Sequence, residues 1–252
     1  MNDTKSKKCF PFESRAVYGE PVMNVFCFHH AGGTAAAYRK WTLESLPVRM
    51  ICVELPGKGV RRGESFIEDC ERLTDDLARE IAIKNGGAPF GLFGHSMGAA
   101  VAFLTCYKLI RHYGERAQKL IVAGRQAPPE ENISEFKTYM DDQALLEELR
   151  RYRLTPEEIL NNKEFLDYLL PEIRKDYRLN ESFSYKGEVL EVPIIAHAGN
   201  MDAEADKEIM EKWQMVTNGR FYIREFKGNH FFVLEDKRYL SCLVEDLLLK
   251  FV

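Results

Sequence analysis

The chain has 252 residues, of which 45% are hydrophobic and 29% charged, with a formal net charge of −4. That length buries one substantial core, and one α/β domain over 1–252 is expected. The weakly acidic balance excludes polyanion binding as a main task, so no nucleic-acid partner is expected. Met1 is followed by the polar stretch NDTKSKKCF, without the apolar core of a secretion signal, and nowhere do about 18 apolar residues run together. A cytoplasmic protein off the membrane is expected. Cys9, Cys27, Cys52, Cys70, Cys106 and Cys242 form no C-x-x-C pair and read as reduced small hydrophobes, with no metal site expected.

In chain order, β-branched and aromatic runs predict strands over 22–28, 50–55, 90–94, 119–123, 192–198 and 221–226. Apolar spacing at the helical period predicts helices over 70–83, 98–113, 205–216 and 238–251. Strand and helix alternate, so a mostly parallel central sheet with helices on both faces follows. The segment of about 134–178 breaks this rhythm: it offers no strand, only charged amphipathic helix such as DDQALLEELRRYRL. It reads as a helical insertion over one end of the sheet. Within it Thr155, Pro156 and Glu158 have the spacing of a capping box.

The run FGLFGHSMGAAVAF, 90–103, places Ser96 between two glycines as G-x-S-x-G. The motif alone is weak. Its setting is stronger, because an apolar strand pattern precedes it and a helical pattern follows, as a sharp nucleophile turn requires. Gly94 and Gly98 then answer to crowding: a side chain at either flank would meet the neighbouring strand or helix.

A serine hydroxyl needs a base to take its proton, usually histidine at neutral pH. His95 adjoins Ser96 and should point away from it, and His112 is sixteen residues further on, about 24 Å along a helix. His29 and His30 precede the serine in an early loop, and His197 falls within a strand pattern. His230, in FKGNHFFVLED after the last predicted strand, remains. The acid that orients it should end an intervening strand. In VPIIAHAGNMDAEAD, Asp202 is the better placed, and Asp206 is the fallback; a helix-capping aspartate is the plainer alternative. Two backbone N–H donors are needed for the oxyanion. Met97 supplies one by position, and the loop FCFHHAGGTAAAY supplies the other, assigned to Ala31.

These residues, with ELPGKGVRRGE and LLPEIRKDY, resemble in order the type II thioesterases, the discrete editing thioesterases of nonribosomal peptide and polyketide synthases. The resemblance runs from about Phe26 to Val233. It implies an α/β-hydrolase fold, a triad of Ser96, Asp202 and His230, and oxyanion donors at Ala31 and Met97. It also implies a mobile lid over an acyl and phosphopantetheine channel, no cofactor, and acyl or peptidyl carrier protein domains as partners. The implied reaction is hydrolysis of acyl thioesters to clear wrongly primed or stalled groups. A monomer is expected. His29 stands where such proteins usually have proline, a departure that bears on the pose of the Ala31 N–H. Lys58, Arg61 and Arg62 lie in a predicted loop, read as solvated charge or, less plainly, as a dock for an acidic carrier. Leu154, Ile159, Phe165 and Leu169 either line an acyl channel or pack the insertion. A carboxylesterase or lipase, a medium-chain fatty-acid thioesterase and a carrier-binding module without chemistry are the competing functions.

Overall fold

The computed structural model describes residues 7–14, 20–130, 137–152 and 155–250. Seven strands form one sheet: β1 (Phe12–Glu13), β2 (Asn24–Phe28), β3 (Arg49–Cys52), β4 (Phe90–His95), β5 (Lys119–Ala123), β6 (Ile194–Gly199) and β7 (Phe221–Phe226). They lie in the order β1-β3-β2-β4-β5-β6-β7. All neighbours are parallel except β1, which runs antiparallel to β3.

The central strands are apolar because both faces are covered. Along β2, Phe26 and Phe28 face one cluster while Val25 and Cys27 face the other, as the two-residue period of a strand requires. The first cluster packs against α1 (Cys70–Asn85) and α2 (Met97–Tyr113). The second packs against a 3-10 helix, Ala35–Leu43, and α8 (Tyr239–Leu248). There Phe93 meets the rings of Tyr38, Trp41 and Tyr239, and burying such a side chain contributes about 1.5–3 kcal/mol. Cys9, Cys27, Cys52, Cys70 and Cys106 are buried within these clusters. Among the described residues no helix is long and apolar enough to cross a membrane.

Among the described residues three helices form the insertion: α3 (Asp142–Tyr152), α4 (Glu157–Leu160) and α5 (Lys163–Glu181). Leu145, Leu170, Ile173 and Tyr177 make a separate small cluster between α3 and α5. Ser134, where the insertion was expected to begin, and Leu154 lie outside the described residues. The capping box expected at Thr155 does not form. Pro156 itself occupies the cap of α4 with extended backbone, and no side chain caps the helix.

The expected helix over 205–216 is also broken, into α6 (Lys207–Glu211) and a 3-10 turn, Lys212–Val216. Tertiary contact overrides the helical spacing here: Trp213 is fully buried, and its indole N–H donates to the Arg125 carbonyl at 2.7 Å. A short helix, α7 (Phe232–Glu235), precedes α8. The register pairs Phe28 with Gly94, His95 with Ala123, Ala123 with His197 and Gly199 with Phe226. Five strands therefore finish along one edge, where open parallel sheets place their ligands.

Candidate active site

Ser96 follows β4 directly and has φ 55° and ψ −122°, the one positive φ outside glycine among the described residues. Such backbone costs on the order of 1–3 kcal/mol and persists only where surroundings impose it. The imposing contacts are close. A Cβ on Gly94 would lie 2.2 Å from the Gly98 carbonyl oxygen, and one on Gly98 would lie 2.2 Å from that of Phe28. The Ser96 N–H donates to the Ala123 carbonyl at 2.9 Å, which ties the turn to the next strand.

Asp202 lies in the loop after β6 and His230 in the loop after β7. These loops are fastened together: the Met201 N–H donates to the Gly228 carbonyl at 2.9 Å and the Gly228 N–H to Asn200 Oδ1 at 3.1 Å. Gly199 permits this approach, since a Cβ there would lie 2.9 Å from the carbonyl oxygens of Gly228 and Asn229. The result is a bond of 2.8 Å between His230 Nδ1 and Asp202 Oδ2, both side chains buried. Burial works to raise the Asp202 carboxyl pKa. The hydrogen bond and charge of His230, with the Glu204 N–H on Oδ1, outweigh it and hold the group below its usual value. Asp206 does something else. Its Oδ1 accepts the Ile209 N–H at 3.0 Å and caps α6.

Two of the other histidines have bonding partners of their own. His95 Nε2 donates to the His230 carbonyl at 2.8 Å, and burial, then the neighbouring His230, lowers its pKa to about 3. A neutral ring thus braces the backbone of His230. His197 is bound between the Tyr239 hydroxyl and Asp246, away from Ser96.

Ser96, Met97, Ala31 and His230 line one cavity of about 140 Å³, which the insertion closes with Leu149, Tyr152, Leu169, Ile173 and Tyr177. Met97 begins α2, and neither its N–H nor that of Ala31 donates to a protein group among the described residues. Of the apolar insertion residues singled out by sequence, Leu169 reaches this cavity, Phe165 is exposed, and Ile159 is half-buried outside the lining.

Several site neighbours escaped the sequence reading. The Tyr152 ring lies 4.8 Å from that of His230, centroid to centroid, and its hydroxyl donates to Glu204 Oε2 at 2.6 Å. Arg151 pairs with the same carboxylate. Asp176, on α5 and wholly buried, accepts the Gly32 N–H at 2.6 Å and Lys58 Nζ at 2.5 Å on one oxygen. Burial pushes its carboxyl above the usual range, and Lys58 pulls it part of the way back. Lys58 is therefore an internal strut and not a docking charge. Arg61 is likewise buried, donating to the Glu54 carbonyl and pairing with Glu64. Only Arg62 of the three basic residues is exposed.

Known proteins are similar to this chain over nearly its whole length. Thioesterase PikA5 of Streptomyces venezuelae is 34% identical over 228 residues, covering 88% of this chain and 79% of its own. A Brevibacillus parabrevis protein named linear gramicidin dehydrogenase LgrE is 33% identical over 235 residues, covering 91% and 89%. The structure of BorB, a type II thioesterase from the borrelidin biosynthetic cluster, superposes with a TM-score of 0.80 at 30% identity, covering 94% of this chain and 97% of that one. The model of the Thioesterase domain family matches residues 23–248, so the chain belongs to that family and is a thioester hydrolase on an α/β-hydrolase fold.

Proposed function

We propose that the chain removes aberrant or stalled acyl groups from the phosphopantetheine arms of carrier protein domains in nonribosomal peptide or polyketide synthases. The observation that carries the chemistry is the buried His230–Asp202 bond of 2.8 Å in the cavity lined by the strained Ser96. Ser96 is the nucleophile, His230 the base and Asp202 the acid that orients it. With Nδ1 committed to Asp202, His230 Nε2 is the nitrogen left to take the Ser96 proton.

Ser96 Oγ bonds to the thioester carbon, and the carbonyl oxygen becomes negative between the N–H groups of Ala31 and Met97. Collapse of the adduct breaks the C–S bond, and the departing sulfur takes the proton from His230. Water then attacks the acyl-serine, giving its proton to His230, and the free acid leaves as Ser96 is reprotonated. A thiol with a pKa of about 8.5 departs more readily than an alcohol, so the leaving group makes small demands on the site.

The pathway reading rests on the relatives, among them BorB. The dehydrogenase of the LgrE name finds no parallel in the loop after β2, which reads His-His-Ala-Gly-Gly and not the Gly-x-Gly-x-x-Gly of dinucleotide binding. Residues 1–252 act as one domain with its insertion at about 134–178, monomeric and cytoplasmic. A substrate panel tests the function: carrier-bound and coenzyme A thioesters against simple p-nitrophenyl esters. Faster turnover of carrier-bound short acyl groups is expected. A preference for simple esters over every thioester would favour a carboxylesterase.

A further inference from the structure

The His30–Ala31 peptide unit carries two groups with different fates. Its carbonyl oxygen is held from two sides: the Gly33 N–H donates to it at 3.0 Å, and His29 Nδ1 lies 2.9 Å away. A carbonyl can only accept, so Nδ1 bears the proton. No cis peptide occurs among the described residues, and in a planar trans unit the C=O and N–H point in opposite directions. Fixing the carbonyl therefore fixes where the Ala31 N–H points. That N–H has no protein acceptor among the described residues, and Ala31 lines the cavity with Ser96 and Met97. The next peptide unit is pinned as well, through the Gly32 N–H on Asp176.

We propose that His29 is a positioning residue for the oxyanion donor, its Nδ1–H holding the His30–Ala31 peptide with the Ala31 N–H aimed at the developing negative oxygen. This rests on the reading of Ser96 as nucleophile and Ala31 as donor. Proline at this place stiffens a loop by fixing φ, yet it offers no side-chain donor. In this chain a hydrogen bond replaces that stiffness. The other ring nitrogen contributes little. His29 Nε2 is buried without a hydrogen-bond partner, and Glu54 Oε1 is 3.9 Å from it, beyond bonding distance. The ring is 1% exposed, so water does not offer the His30 carbonyl an easy substitute donor.

Three substitutions in the full chain test this. His29→Leu removes the donor, His29→Asn returns an amide N–H near the Nδ1 position, and His29→Gln places one near Nε2, toward Glu54. The readouts are kcat and KM on an acyl thioester and the affinity of an alkyl boronic acid, whose tetrahedral serine adduct mimics the oxyanion. Losing an oxyanion donor outright costs about a hundred- to a thousandfold. Mispositioning one should cost less: a fall of about tenfold to a hundredfold in kcat for Leu and Gln is expected, with KM within about twofold and boronate affinity falling in parallel. Asn should stay within about threefold of the natural chain on the same scale. The proposal fails if Leu keeps the natural kcat, or if Asn falls as far as Leu. Should Leu not accumulate as folded protein, the contrast between Gln and Asn decides in the same way. Ser96→Ala in the same assay separates the levels. If it stays active, the underlying reading falls and this proposal with it; if it is inactive while His29→Leu is unaffected, only this proposal falls.

Discussion

At the carboxyl edge of the sheet, Ser96, Asp202 and His230 are placed by backbone: a strained turn between two crowded glycines, and two loops bonded to each other through Met201, Gly228 and Asn200. On the insertion, Tyr152 and Asp176 reach the same cavity or its loop through side-chain bonds, to Glu204 and to Gly32 and Lys58 respectively. The first region holds its groups wherever the strands end. The second holds them only while particular helices lie against the sheet. Chemistry should therefore be lost outright by changes at the edge and tuned by changes in the insertion.

The sharpest break in that contrast is Asp202→Asn. The amide leaves the size of the side chain almost unchanged but no longer favours a protonated His230, and kcat should fall by about four orders of magnitude. The same variant has a second signature. Asp202 has its folded pKa below the unfolded aspartate value of about 3.9, so the stability it contributes is full above that value and is lost as pH falls through the lower folded one. Acid unfolding followed by circular dichroism should show the natural chain losing that increment below about pH 4, with a flatter curve for the variant.

Asp176→Ala comes next. It leaves Lys58 buried without its carboxylate and the Gly32 N–H without its acceptor. Breaking such a pair costs about 3–5 kcal/mol, readable in urea unfolding. A kcat loss of about tenfold should accompany it, because the oxyanion loop loses an anchor. An unaltered kcat with the full stability loss would show Asp176 to be a strut for the insertion and nothing more.

Tyr152→Phe should have the smallest effect. The ring stays against His230 while its hydroxyl bond to Glu204 is lost, leaving Arg151 to pair with that carboxylate. One such bond to a charged group contributes about 1.5–3 kcal/mol, and the remaining Arg151 pair should shelter most of it. Stopped-flow acyl transfer should show a change of less than about tenfold, expressed in KM more than kcat. A loss comparable to Asp202→Asn would erase the distinction between edge and insertion.

The same distinction explains what could be read from sequence. The strand at Lys119–Ala123 matches its expected bounds because its apolar run reports burial directly, and Phe221–Phe226 matches as well although only Phe226 of it is buried. The strand expected from 22, β2, starts at Asn24, and Val22 is 55% exposed despite its β propensity. Ser96, Asp202 and His230 could be proposed from sequence because each follows a strand in a fixed chain order, and the structure places Ser96 and His230 on one cavity with Asp202 bonded to His230. Asp176 could not: Gly32 and Asp176 are 144 residues apart, and no local pattern joins them. Lys58 and Arg61 misled for a related reason, since a basic loop looks solvated until its partners are seen. His29 stood out as a departure from proline, but its bond to the His30 carbonyl is a matter of ring orientation.

Release of acyl groups from a phosphopantetheinylated carrier protein tests the central claim most directly, with acetyl, medium-chain and aminoacyl loads compared side by side for the natural chain and Ser96→Ala. The natural chain should release short, wrongly primed loads, and Ser96→Ala should fall by about three to six orders of magnitude. Undiminished release by Ser96→Ala, or a natural chain that ignores every carrier-bound thioester while cleaving simple esters, would contradict it.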